Sequence, residues 1–356
     1  MPTSRRNSLP MASSWSPPEN RKRFNLPSKK GRSMKALLSL LVFSLVAAAG
    51  HLADAAPVKV FILCGQSNME GKGAVKHLEQ LLADPTTAKE YQHLRNDNGW
   101  VERDDVFIKY NDDRGQGKLG LGYGTPTDRF GPELGFGHVV GEAFDEKVLI
   151  IKCAWGGRAL AVKFRPPSSG KGDFTQRDRA TKEIVPLPEE TYGEAYRDTI
   201  RIVKESLANI DQLVPGYDQE EGYELSGFVF FQGFNDIIDA KKMDQYGENL
   251  ANLVRDVRKD LAAPNMLFVI GELGQQGVEP EKRYAEKHFK FRKIQEDVSK
   301  LPEFKGTVGF VKTSPYVIGD GDSFDGGYHY YGRADTFYKI GSAFGDTMVE
   351  LVKSQN

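Results

Sequence analysis

Five short runs of Val, Ile, Leu and Phe recur along the chain, at Val58–Cys64, Lys147–Cys153, Ser226–Gln232, Asn265–Gly271 and Thr307–Lys312. They carry little polar alternation, which is the pattern of strands covered on both faces. Between them lie helical stripes. Tyr192, Tyr196, Ile200, Val203, Leu207 and Ile210 recur at three- and four-residue steps, as do Tyr246, Leu250, Leu253, Val257 and Leu261. A last stripe, Phe337, Ile340, Phe344, Met348 and Leu351, closes the pattern. Such stripes are the core faces of amphipathic helices. Strand–helix alternation at this spacing dictates an α/β fold, a three-layer α/β/α sandwich around a mainly parallel five-stranded sheet.

The chain has 356 residues with 39% hydrophobic content, enough for a full core, and no linker or internal repeat divides it. The net charge is -1, so no bulk electrostatic case for nucleic acid exists. Residues 1–33 are rich in Ser, Pro, Lys and Arg without apolar periodicity, and read as a disordered leader or a misassigned start ahead of Met34. Residues 34–55 combine a basic start, an apolar run from Ala36 to Ala49, and Ala53-Asp54-Ala55. That is a signal-peptide pattern, with cleavage near Ala55/Ala56 and an exported (periplasmic or extracellular) catalytic domain over residues 56–356. The apolar run falls short of the roughly 20 residues that span a bilayer, so no stable membrane anchor is expected. Cys64 and Cys153 each end a strand run. They are read as buried thiols, since neighbouring parallel strands seldom offer disulfide geometry, although an exported chain could bridge them.

Asp84–Phe130 and Lys163–Pro186 fit no regular element and read as long loops around the strand ends, where open α/β sheets bind ligands. The strands themselves end on notable residues. Ser67 follows the first in GQSN, Gly156 and Gly157 follow the second in CAWGG, and Gly233, Asn235 and Asp236 follow the third in FQGFND. A parallel sheet brings all three to one edge. His329 precedes the final helix, with Asp322 and Asp325 just upstream. A serine hydroxyl needs a base to take its proton, histidine suits that task near neutral pH, and a carboxylate can orient the imidazole. Taken singly, Ser67 would be a turn residue and Asn235 or Asp236 a helix cap. Asp236 and Glu133 are read as structural carboxylates. No HxH or HExxH spacing occurs among the six histidines, so neither metal nor cofactor is expected.

These blocks together resemble those of SGNH hydrolases, and more closely the sialate O-acetylesterase and acetylxylan esterase branch, carbohydrate esterase family 6. The resemblance spans nearly all of Val58–Val352 and implies an SGNH/flavodoxin-like sandwich. It implies Ser67 as nucleophile and His329 as base. The oxyanion hole would comprise the amides of Ser67 and Gly157 (or Gly156) and the side chain of Asn235. The family acid usually lies three residues before the histidine, where this chain has Gly326. Asp325 is the candidate in its place, with Asp322 or a Ser-His dyad as alternatives. Gln66, Trp155, Gln232 and Tyr328 flank the blocks as candidate substrate contacts, and Trp100, Phe164 and Tyr330 are further aromatics that could stack on a sugar. The implied activity is removal of O-acetyl groups from a carbohydrate through an acetyl-serine. An inactive carbohydrate-binding protein on the same fold and a lipid or thioester esterase are the competing readings, the latter without an apolar lid helix to support it.

Overall fold

A computed structural model describes residues 56–319 and 323–355. The leader, the signal segment and Asp322 lie outside the described residues. Strand β1 (Val58–Gly65) runs through the middle of the sheet and leads into a single helical turn, α1 (Ser67–Glu70), and then α2 (Val75–Ala83). Next come β2 (Val106–Tyr110), β3 (Gln116–Lys118), α3 (Pro132–Ala143), β4 (Val148–Ala154) and α4 (Glu194–Ala208). The chain continues with β5 (Tyr223–Phe231), the short α5 (Phe234–Ile237), α6 (Ala240–Asp260), β6 (Leu267–Gly271) and α7 (Lys282–Ser299). It closes with β7 (Val308–Val311) and α8 (Ala334–Gln355). The sheet order is β7-β6-β5-β1-β4-β2-β3, parallel throughout except for β3, which pairs antiparallel with β2.

All five runs seen in the sequence are strands of this sheet, and two further strands extend it to seven. The addition corrects the expected strand count and part of the expected Asp84–Phe130 loop. VFIKY is short and lies among turn-rich residues, so its apolar character was swamped; pairing with β4 is what makes it a strand. The helix over Pro132–Ala143 was likewise hidden, because its glycines break the apolar stripe.

Alternate residues of β1 enter two cores. Val60, Ile62 and Cys64 pack with Tyr196 and Val203 of α4, Leu250 and Leu253 of α6, and Phe291 of α7. Phe61 and Leu63 pack with Leu134 and Phe136 of α3 and with Phe337, Ile340 and Phe344 of α8. Burying each such side chain contributes about 1.5–3 kcal/mol, so both faces must be covered for the central strands to stay apolar. Cys64 and Cys153 sit opposite each other in β1 and β4, both free and fully buried. Burial pushes the Cys64 thiol up to about 12. Among the described residues no helix is long and apolar enough to cross a membrane.

Candidate active site

β1 ends at Gly65, where only glycine fits, because a Cβ there would lie 2.1 Å from Phe231 O of the neighbouring β5. Gln66 stays extended (φ -106°, ψ -152°) and its carbonyl accepts from Met69 N at 2.7 Å and Glu70 N at 2.8 Å. That tight turn places half-buried Ser67 as the first residue of α1, at the C-terminal edge of the sheet.

The ends of β4 and β5 meet this turn through one buried polar network. Gln66 Nε2 donates to Asn235 Oδ1 at 3.2 Å, which leaves the Asn235 NH2 group for other partners. Gln66 Oε1 accepts from Gln232 Nε2 at 3.0 Å. The same Gln232 nitrogen reaches Asp236 Oδ2 at 2.7 Å and Arg158 O at 2.9 Å. Asp236, fully buried, then accepts from Leu160 N at 2.8 Å and Ala161 N at 2.9 Å. Burial pushes its carboxyl up to about 6, against the opposing pull of these hydrogen bonds. The turn carrying Gly157 is held in register with Asn235 by this carboxylate. Gly157 has φ +70°, a backbone that L side chains rarely adopt, and open space where a Cβ would be.

The network changes the roles expected of Gln66 and Gln232. Each is 2% exposed and spends its amide inside the protein, so neither presents a side chain to a substrate. Trp155 is half-buried against Phe164, and Tyr328 is 49% exposed. Phe164 and Tyr330 are fully buried and unavailable for stacking, whereas Trp100 sits under Arg95. What the sequence could not reveal is that Gln66, Gln232 and Asp236 touch. Gln232 and Asp236 share one segment, but Gln66 lies 166 residues before Gln232.

His329 lies in a 3₁₀ turn, Gly327–Gly332, just before α8. The backbone of the next two residues is left-handed, with φ +51° at Tyr330 and +57° at Tyr331, a conformation that needs support. The support is Tyr330, whose ring stacks near Phe231 at 6.2 Å and whose hydroxyl accepts from Gly274 N at 3.3 Å. Asn68, next to Ser67, donates to Tyr328 O at 3.1 Å and so ties the serine turn to the histidine turn. Arg129 spans the same gap, donating to Lys72 O at 3.2 Å and to Phe324 O at 3.1 Å. No motif in the sequence singled out Arg129.

Asp325 Oδ1 is 3.2 Å from His329 Nδ1, within ion-pair range, but the ring N–H does not point along a hydrogen bond. The carboxylate instead accepts firmly from its neighbour Gly326 N at 2.7 Å. Burial lowers the His329 pKa, and the negative charge of Asp325 opposes that shift without cancelling it. The imidazole is therefore neutral at neutral pH, the form that can accept a proton.

Beneath the serine turn lies a fully buried ion pair. Lys152 Nζ donates to Glu133 Oε2 at 2.7 Å, both side chains having no exposure. It also reaches Glu70 O at 2.9 Å and Tyr123 O at 2.6 Å. Glu133 in turn accepts from Gly131 N at 2.7 Å at the start of α3. Desolvation lowers the lysine pKa, with Glu133 opposing it. The sequence carried a hint, a lysine inside the apolar run VLIIKC, but not its partner.

Two clefts border the residues just described. One, of about 650 Å³, includes Gly157 and Asn235. The other, of about 440 Å³, includes Gly327 and Tyr328. Among the described residues no cluster of His, Cys, Asp and Glu could hold a metal ion.

Residues 57–309 match the family model described as carbohydrate esterase, sialic acid-specific acetylesterase. No curated protein matches the chain. Among solved structures, a protein of Arabidopsis thaliana is similar at 16% identity with a TM-score of 0.51, covering 83% of this chain and 98% of its own. A carbohydrate acetylesterase from Xanthomonas citri is similar at 14% identity with a TM-score of 0.45, covering 80% of this chain and 57% of its own. At 16% identity the Arabidopsis likeness speaks to the α/β sandwich alone. The family match extends over well more than half of the sequence, and the chain accordingly belongs to the sialic acid-specific acetylesterase family of carbohydrate esterases, which are carboxylic ester hydrolases.

Proposed function

We propose that this carbohydrate esterase removes O-acetyl groups from a sugar through an acetyl-serine intermediate, and that it acts after export. Ser67 Oγ attacks the acetyl carbonyl carbon while His329 takes its proton. Negative charge that develops on the carbonyl oxygen is met by the amides of Ser67 and Gly157 and by the Asn235 NH2. Each such donor is worth about 10²- to 10³-fold in rate. The tetrahedral adduct collapses, and the sugar oxygen leaves with the proton held by His329. Water, deprotonated by the same imidazole, then attacks the acetyl-serine and releases acetate. Asp325 supplies the charge that favours the imidazolium formed in both steps.

One observation carries this reading. Hydrogen bonds from Gln66 to Asn235 and from Asn68 to Tyr328 bind both neighbours of Ser67 to two of the three other segments the chemistry needs, those of Asn235 and His329. The proposed substrate is an acetylated carbohydrate, sialate- or acetylxylan-like. The case for export rests on the pattern of residues 34–55.

Acetate release from acetylxylan and from O-acetylated sialic acid by the full chain is the test. Ser67→Ala should lower turnover on the order of 10³-fold or more. Wild-type rates surviving in Ser67→Ala would refute the serine mechanism, and wild-type protein inert on every acetylated sugar would make the chain a binding protein. Export predicts a mature N-terminus near Ala56, readable by N-terminal sequencing of the secreted product.

A further inference from the structure

The cleft of about 440 Å³ between the loop after β6, the start of α7 and Tyr328 has an unusual floor. Gln275 is 3% exposed, and neither its Oε1 nor its Nε2 has a hydrogen-bond partner among the described residues. His288, on the inner side of α7, is 7% exposed and its Nδ1 is likewise without one. Leaving such groups buried and unpaired is costly, and native structures rarely keep several together. Above them the rings of Phe234 and Tyr328 lie 5.8 Å apart, and Tyr284 is 40% exposed at the rim.

We propose that this cleft is a subsite for a pyranose ring on the leaving-group side of the ester, with Gln275 and His288 bonding its hydroxyls and Tyr328 and Phe234 packing on its face. The assignment to the leaving-group side rests on the esterase reading above. His329 hands its proton to the departing sugar oxygen, so the sugar lies on the histidine side, and this cleft adjoins it through Tyr328. The other cleft adjoins Gly157 and Asn235, the carbonyl-oxygen side. The chemistry of the floor also selects the occupant. Burial, with Arg292 and Lys287 nearby, holds His288 down at about 4, so its ring is neutral and offers one donor and one acceptor. A primary amide beside it adds two donors and an acceptor. That set matches vicinal hydroxyls, whereas an acyl chain would leave every one of these atoms unpaired. Aromatic faces complete a surface suited to the C–H side of a sugar ring. The site lies past the C-terminal end of β6, at the ligand-binding edge of a parallel sheet.

Gln275→Leu and Tyr284→Ala test the proposal in the full chain. The readout is the ratio of kcat/KM for mono-O-acetylated xylose, glucose and N-acetylneuraminic acid, which keep their other hydroxyls, to that for ethyl acetate, whose leaving group has no ring. Binding of the same three esters to Ser67→Ala is followed by saturation-transfer NMR. The ratio for at least one sugar should fall fivefold or more in each variant, mainly through KM. The thermal midpoint of Gln275→Leu should hold or rise, since an unpaired buried amide has been removed. Unchanged ratios in both variants, or rates on sugar ester and ethyl acetate falling together, overturn the subsite while leaving the esterase standing. If the wild type hydrolyses no ester, the esterase reading fails and NMR decides alone. Sugar signals that vanish with Gln275→Leu in the Ser67→Ala background support the subsite, and no sugar signal at all overturns it.

Discussion

Replacing Lys152 with methionine tests how the serine turn is supported. At 2.7 Å and an effective dielectric near 20, the attraction between Lys152 and Glu133 is about 6 kcal/mol gross. Part of that is offset by the cost of holding the ammonium away from water, which is why burial lowers its pKa. Breaking a buried pair by removing one partner typically costs about 3–5 kcal/mol, because the surviving charge stays buried. Here the survivor would be the Glu133 carboxylate, left with Gly131 N alone, and the carbonyls of Glu70 and Tyr123 would lose their ammonium donor as well. At roughly 2 °C per kcal/mol for a domain of this size, Lys152→Met should lower the thermal midpoint by about 6–10 °C. Glu70 ends the helical turn that Ser67 begins, so kcat should also drop, measured well below the variant's midpoint. Adding Glu133→Gln removes the stranded charge and should restore at least half of the lost stability. A single variant within 2 °C of wild type, or a double variant no better than the single, would refute the claim that a charged pair holds this turn.

Because burial outweighs Asp325 at His329, the acid limb of kcat/KM should have its midpoint below about 6.5, with activity lost as pH falls through it. Asp325→Asn removes the charge that raises this pKa and should move the limb lower still; a pH–rate profile shifted upward would contradict the pairing. Asp236→Ala leaves the amides of Leu160 and Ala161 without acceptors, and relief of the buried charge offsets part of that. A net loss on the order of 1–3 kcal/mol is expected in denaturant unfolding, with kcat/KM down tenfold or more as the Gly157 turn loosens. His138 and His288 are both held at about 4 by burial, so between pH 6.5 and 4 the unfolded chain binds protons that the folded chain does not. Stability should be full above pH 6.5 and fall toward pH 4, by about 1–3 kcal/mol per histidine; a thermal midpoint flat over that window would exclude the buried neutral rings.

Five of the seven strands and the helices α4, α6 and α8 were legible from apolar period alone, because burial on both faces of a strand, or along one face of a helix, leaves a run of apolar residues. The place of Ser67, Gly157 and Asn235 at one edge of the sheet was legible for a related reason. Each follows such a strand, and a parallel sheet delivers every strand end to one edge. His329 needed the resemblance as well, since nothing in its spacing to the other blocks says that α8 returns it there. The two further strands were not legible, because β2 is a strand through its pairing with β4 and β3 through its pairing with β2, rather than through composition. The tertiary structure alone decided what polar side chains do. Gln66 and Gln232 read as candidate substrate contacts beside a motif, yet they are interior ties. Lys152 and Glu133, which are separated by a helix in the chain, form a buried pair, and Gln275 and His288 share the floor of one cleft. Apolar periodicity is written along the chain because burial acts on each residue separately. Hydrogen bonds and ion pairs join residues whose separation in sequence says nothing of their distance, so only the folded protein reveals them.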